Sequence, residues 1–147
     1  MNLKKLLNRD NILLELKSEE KVEIIEEMVD LLVKAGKVED KQAALQVVLE
    51  REKKMSTGLE QGIAVPHGKT DSVKELVVAL ALKKEGVDFA ALDGRPSRIF
   101  IMTISPASHS GPHIQFLAEI SRLLNREDIR NEILKAESPD QVVKALT

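Results

Sequence analysis

Two almost unbroken apolar runs, Leu76 to Leu82 and Ile99 to Ile104, set the tightest limit on how this chain can fold. Neither alternates polar with apolar residues, so each needs cover on both faces, as in strands of a sheet with helices on either side. Aromatic residues are only 2% of the 147, so that core must be aliphatic, and 43% apolar content is enough to pack one. Ile12, Leu14 and Leu16 alternate and predict a further strand, and Ile63-Ala64-Val65 predicts a short apolar one.

Helical periodicity surrounds these runs. Val22, Ile25, Met28, Val29 and Leu32 predict a helix over 18–36, with Ser18 as N-cap, Glu19 and Glu20 at the positive end of its dipole, and Gly36 closing it. A second helix is predicted after Asp40 to about Lys53, with Ala44, Val47 and Val48 inward. Ser110, Gly111 and Pro112 open a third, predicted to turn Ile114, Leu117, Ala118, Ile120, Ser121 and Leu124 inward. A short helix is expected at Asp128–Lys135, and a last one from Ser138, where Ser-Pro-Asp-Gln reads as a capping box. The pattern predicts an α/β (α+β) fold: a single mixed sheet flanked by helices, in one domain spanning 1–147.

Several classes of function are excluded. The 22 basic and 24 acidic residues leave a net charge of −2, and there is no Trp or Tyr, so neither a polyanion-attracting field nor base-stacking platforms suit nucleic acid. Cys is absent, which removes catalytic thiols, disulfides and thiolate metal sites. The charged stretch from Met1 (MNLKKLLNRD) has too short an apolar part for a signal peptide, and no run approaches the roughly 20 apolar residues of a membrane span. The expectation is a cytoplasmic protein without membrane insertion. Walker, dinucleotide-binding and Gly-x-Ser-x-Gly patterns are missing.

Three histidines remain. His67 lies in Gly62-Ile63-Ala64-Val65-Pro66-His67-Gly68-Lys69, where Pro66 is expected to stop a strand and display His67 at its end. Gly68 admits a close backbone or a bulky anion. Read locally, His67 is either an ordinary loop residue or a nucleophile toward a phosphoryl group, since imidazole titrates near neutral pH. His113 falls in the first turn of a predicted helix, where it either caps the helix or steadies a phosphate. His109 and His113 are separated by Gly111 and Pro112, which denies them the helical geometry of a metal pair, so no metal is expected. Arg51 reads either as part of a solvated charge run or as a guanidinium clamp for phosphate. Ser56 and Thr57 supply hydroxyl donors or simply form a turn, and Lys69 offers a point charge.

Taken in order, these segments resemble one family. Arg51-Glu52, Ser56-Thr57-Gly58 and Gly62 to His67 are followed by Ala91-Leu92-Asp93-Gly94-Arg95-Pro96, by Ser105-Pro106, and by His113 leading into Ile114 and Leu117-Ala118. This is similar to the enzyme IIA domains of the fructose/mannitol class in the phosphoenolpyruvate-dependent sugar phosphotransferase system, over most of the chain. The resemblance implies a mixed sheet flanked by helices. It implies that His67 takes a phosphoryl group from the phosphohistidine of HPr and passes it to a Cys of an enzyme IIB, with His113 and Arg51 assisting and Ser56, Thr57 and Lys69 in support. No cofactor is then required, because the energy arrives as phosphohistidine. Nitrogen-type relatives in the same class instead bind regulatory partner proteins according to phosphorylation. The chain departs from the family pattern at Glu60-Gln61, at Ser97 and in having His109.

Overall fold

Both apolar runs are strands of one five-stranded sheet in the computed structural model, which describes residues 2–147; Met1 lies outside them. The strands are β1 (Ile12–Leu13), β2 (Ile63–Ala64), β3 (His67–Lys69), β4 (Val77–Val87) and β5 (Ser97–Ser105). β4 and β5 pair antiparallel at the centre, β1 joins β4 in parallel, and β2 and β3 both run parallel to the other side of β5. The sheet is therefore mixed, as expected.

Each central strand sends alternate residues to opposite layers. Val78, Leu80, Leu82, Ile99 and Ile101 pack under α1 (Leu3–Leu6), α4 (Gly111–Leu124), α5 (Glu127–Lys135) and α6 (Pro139–Leu146). Ala79, Ala81, Phe100, Met102 and Ile104 pack under α2 (Lys21–Lys34) and α3 (Lys41–Lys54). Burial of each large aliphatic side chain contributes about 1.5–3 kcal/mol, which is why the runs cannot be exposed strands. No helix among the described residues is long and apolar enough to cross a membrane.

Several local expectations need correction. β1 stops at Leu13; Leu16 is buried, but beyond the strand its amide donates to the Leu82 carbonyl. α2 starts at Lys21 rather than at Ser18, because the Ser18 amide is drawn to the Glu27 carboxylate instead of joining the helix. Val22, expected inward, is exposed in the first turn, and Ile24 and Ile25 take the core positions. Gly36 does close α2, at φ +76°. α4 is rotated from the expected face: His113, Phe116, Ile120, Leu123 and Leu124 are buried, while Ile114 is 65% exposed. Two apolar stripes share one period on this helix, and Phe116 and Leu123 fill more core volume than Ala118 and Ser121. At α6, Ser138 caps the Gln141 amide, but the Gln141 side chain accepts from Glu137 rather than from Ser138, so only half of the capping box forms.

Pro66 does not end the ladder. Ile63 lies opposite Ile99 and His67 opposite Thr103, so the register continues unbroken through the proline. This is possible because β2 and β3 lie at the sheet edge and the Pro66 carbonyl still accepts from Thr103, at 3.2 Å. His67 is therefore the first residue of a resumed strand, and the ladder supports it on both sides.

Candidate active site

Strand parity places His67 and Lys69 on the α4 side of the sheet, and Gly68 on the α3 side. A Cβ on Gly68 would meet the Val47 side chain at 2.7 Å and the Val48 backbone nitrogen at 2.9 Å. Glycine is required there by the close approach of α3, which resolves its two alternatives in favour of backbone.

The His67 ring is oriented locally. Its Nδ1 lies 2.9 Å from the Val65 carbonyl, an acceptor only, so Nδ1 carries the proton and donates. In the neutral form of this half-buried ring, Nε2 is then the lone-pair nitrogen. Val65 is itself held, since its amide donates to the Thr57 carbonyl at 3.0 Å. The His113 ring, from the first turn of α4, stands 5.6 Å from the His67 ring between centroids, tilted by 37°.

His113 is 6% exposed. Burial, the largest cause, holds its pKa below the ordinary 6.5, and the neighbouring His67 and Lys69 disfavour a further positive charge there. His113 is thus a neutral ring at pH 7, able to donate one hydrogen bond. A consequence is measurable. The unfolded chain protonates this histidine more readily than the folded protein below about pH 6.5, so the neutral ring's contribution to stability is complete above that pH and is lost as pH falls through the lower folded value. The slope is at most about 1.4 kcal/mol per pH unit for one proton. Urea midpoints between pH 5 and 7.5 should fall less steeply for His113→Gln than for the parent; equal slopes would contradict this.

Other expected residues sit as follows. Arg51 is in the last turn of α3, one turn beyond the Val47–Val48 segment that meets Gly68, and its Nη1 donates to the Met55 carbonyl at 2.8 Å. The rest of its fork makes no protein hydrogen bond among the described residues. Lys69 is exposed beside Ser105 in register. Ser56 and Thr57 are committed to the scaffold: the Ser56 hydroxyl donates to the Phe89 carbonyl at 2.7 Å, and the Thr57 hydroxyl to Glu52 at 2.5 Å. Of their two alternatives, the turn is the one this geometry serves. His109 is exposed, in the turn before α4.

Sequence reading passed over two features. Glu52 is 7% exposed and accepts from Lys21, from the Thr57 amide and from the Thr57 hydroxyl. Its spacing of four from Val48, on the buried stripe of α3, was the available sign. Thr103 and Ser105, buried opposite His67 and Lys69, have hydroxyls without a protein partner among the described residues, as does His113 Nε2. Thr103 is the one polar interruption of the second apolar run. Together they form a polar lining within an otherwise aliphatic layer.

Comparison with known proteins bears on the family and the fold. The family model for the phosphoenolpyruvate-dependent sugar phosphotransferase system, EIIA 2, matches residues 5–147. The fructose-specific EIIABC component of Bacillus subtilis is 41% identical over 143 residues, which is 97% of this chain and 22% of that much longer protein. Among solved structures, the nitrogen regulatory protein IIA-Ntr of Neisseria meningitidis superposes with a TM-score of 0.90 at 28% identity, covering 99% of both chains. Enzyme IIA mannitol of Escherichia coli, solved in complex with phosphorylated enzyme IIB mannitol, superposes with a TM-score of 0.82 at 31% identity, over 95% of this chain and 96% of that one. With a mixed sheet flanked by helices and a family match that runs nearly end to end, the chain belongs to the EIIA 2 family of the phosphoenolpyruvate-dependent sugar phosphotransferase system.

Proposed function

We propose that this chain acts as one domain, over 1–147, that relays a phosphoryl group between two other proteins, with His67 Nε2 as the acceptor. The observation that carries the proposal is the contact of His67 Nδ1 with the Val65 carbonyl, which makes Nε2 the lone-pair nitrogen of the neutral ring, 5.6 Å ring to ring from His113. In the first step the Nε2 lone pair attacks phosphorus of the HPr phosphohistidine in line. A nitrogen–phosphorus bond forms as another breaks, and the donor imidazole leaves with its electron pair. In the second step a thiolate of an enzyme IIB attacks the same phosphorus and releases Nε2. Neither step needs a metal or cofactor. Such transfers rest on positioning and charge stabilisation. His113 donates to a phosphate oxygen, while Arg51 and Lys69 offset charge. The complex of the mannitol relative with its phosphorylated IIB supports a IIB-type acceptor. The exposed Ile114, next to His113, and Leu92, 69% exposed, suit contact with a protein surface. A cytoplasmic location follows from these partners.

Sugar transport is favoured by the 41% identity to the fructose-specific component. The regulatory alternative, binding proteins according to phosphorylation, is favoured by the fit to IIA-Ntr over 99% of both chains. Incubation with phosphoenolpyruvate, enzyme I and HPr, then with candidate IIB proteins, tests the relay. One phosphoryl group on Nε2 of His67, located by phosphorus NMR, is expected; incorporation on Nδ1, or none, rejects the mechanism. Transfer onward to a IIB supports transport, and phosphorylation without onward transfer supports regulation.

Arg51 offers a separate test. Arg51→Gln is expected to slow transfer by about 10²-fold, the usual effect of losing one charge-stabilising donor. Because the guanidinium is partly exposed, melting should change little. A lowered melting temperature with an unchanged transfer rate would make Arg51 only a cap for the Met55 carbonyl.

A further inference from the structure

At the opposite end of β5 from His67 lies a concavity of about 660 Å³, lined by Lys84, Arg95, Arg98 and Arg130 with Glu85 and Glu127. Arg98 and Thr103 are five positions apart on β5, so the cavity lies about 16 Å along the strand from the level of His67. It belongs to no part of the relay described above.

The arginines here differ from most of the others. Arg9, Arg122 and Arg126 each face a carboxylate. Arg95, Arg98 and Arg130 make no ion pair among the described residues, and the other arginine without one is Arg51, in the last turn of α3. Two of the three are also oriented from behind. Arg98 Nε donates to the Lys84 carbonyl at 2.7 Å, and its stem lies over Gly62 and Gly86, both at positive φ. A Cβ on Gly86 would meet Pro96 at 2.7 Å, so this wall tolerates only glycine. Arg130 Nη1 donates to the Leu124 carbonyl at 2.8 Å and to the Gln61 side chain at 3.2 Å. Both Nη groups of Arg98 and the Nη2 and Nε of Arg130 have no protein acceptor among the described residues.

Of the two lining carboxylates, Glu85 is turned to Lys83 at 3.2 Å. Asp93, in the same loop as Arg95, is occupied in accepting the Gln61 and Arg95 amides. Four cations less two carboxylates give the lining a formal charge of +2 in a chain whose total is −2. Pre-oriented guanidinium forks match the paired oxygens of a phosphate better than a point charge does. The size is that of a small-metabolite site, and the chain's overall negative charge disfavours a nucleic acid or another polyanion. We propose that the cavity between Arg95, Arg98 and Arg130 binds a small phosphate monoester as its dianion.

Titration of the ¹⁵N-labelled full chain with glycerol 3-phosphate and with inorganic phosphate tests this, with sodium chloride at matched ionic strength as control. Saturable shifts are expected at the Gly62 and Gly86 amides, distinct from any at Gly68 beside His67. Arg98→Gln and Arg130→Gln should each weaken binding by about tenfold or more. Arg95→Gln, at a side chain without protein hydrogen bonds, should also weaken it and serves if either of the others fails to fold. Equal shifts with chloride, no shifts at Gly62 and Gly86 up to about 20 mM ligand, or undiminished affinity in the variants would overturn the proposal. So would shifts of these amides by polyglutamate but not by the monoesters.

Discussion

A His67→Ala variant is expected to take up no acid-labile phosphate from phosphorylated HPr while remaining folded. The other histidines do not substitute for it. His113 is buried with its Nε2 closed in, and His109 sits outside the paired rings in an exposed turn. The structural cost is small, because the ring is half-buried and its one bond, Nδ1–H to the Val65 carbonyl, is worth about 0.5–1.5 kcal/mol net. For a domain of this size that is a few degrees of melting temperature, roughly 2–6 °C. A mass spectrum after incubation with phosphoenolpyruvate, enzyme I and HPr reads the chemistry, and calorimetry reads the fold. Uptake of phosphate by the folded variant would place the acceptor elsewhere and end the proposed relay.

The outline of this site was legible before its details were. The runs at Leu76–Leu82 and Ile99–Ile104 had one reading because burial on both faces leaves Thr103 as their one polar residue. The helix start after Asp40 and the stop at Gly36 were local chemistry, and both survived folding. What failed was what the sheet decides. α4 carries two apolar stripes of one period, and only the shape of the layer beneath selects Phe116 over Ile114. Proline lacks a donor and so signals a strand end, yet at a sheet edge that donor is not needed and the Pro66 carbonyl keeps the register. In Arg51-Glu52-Lys53-Lys54 the two lysines are solvated, but Arg51 is partly buried and bonded to the Met55 carbonyl, and Glu52 is buried. That residue follows Val48 by one turn and is carried inward with it. The ordered motifs named the family, but they did not show what holds His67 in place.

Glu52 is the residue on which that holding depends, and Glu52→Ala should have the second large effect. Its carboxylate accepts from Lys21 at 2.8 Å, from the Thr57 amide at 2.8 Å and from the Thr57 hydroxyl. Truncation leaves two Thr57 donors buried without an acceptor and strips a partly exposed lysine of its partner. A loss of about 2–4 kcal/mol of stability follows, nearer the lower end because Lys21 can turn to solvent. The consequence for the site runs through one chain of bonds: Glu52 fixes Thr57, the Thr57 carbonyl takes the Val65 amide, and the Val65 carbonyl takes His67 Nδ1–H. Loosening the first link should free the last. At a temperature where the variant is fully folded, nitrogen NMR of His67 should then report a mixture of the two neutral tautomers in place of a single Nδ1–H form, and transfer should slow by about tenfold. Glu52→Gln, which keeps one acceptor, should fall between. If the variant is destabilised but His67 keeps one tautomer and its full transfer rate, Glu52 only braces the turn, and the imidazole is held by Val65 without its help.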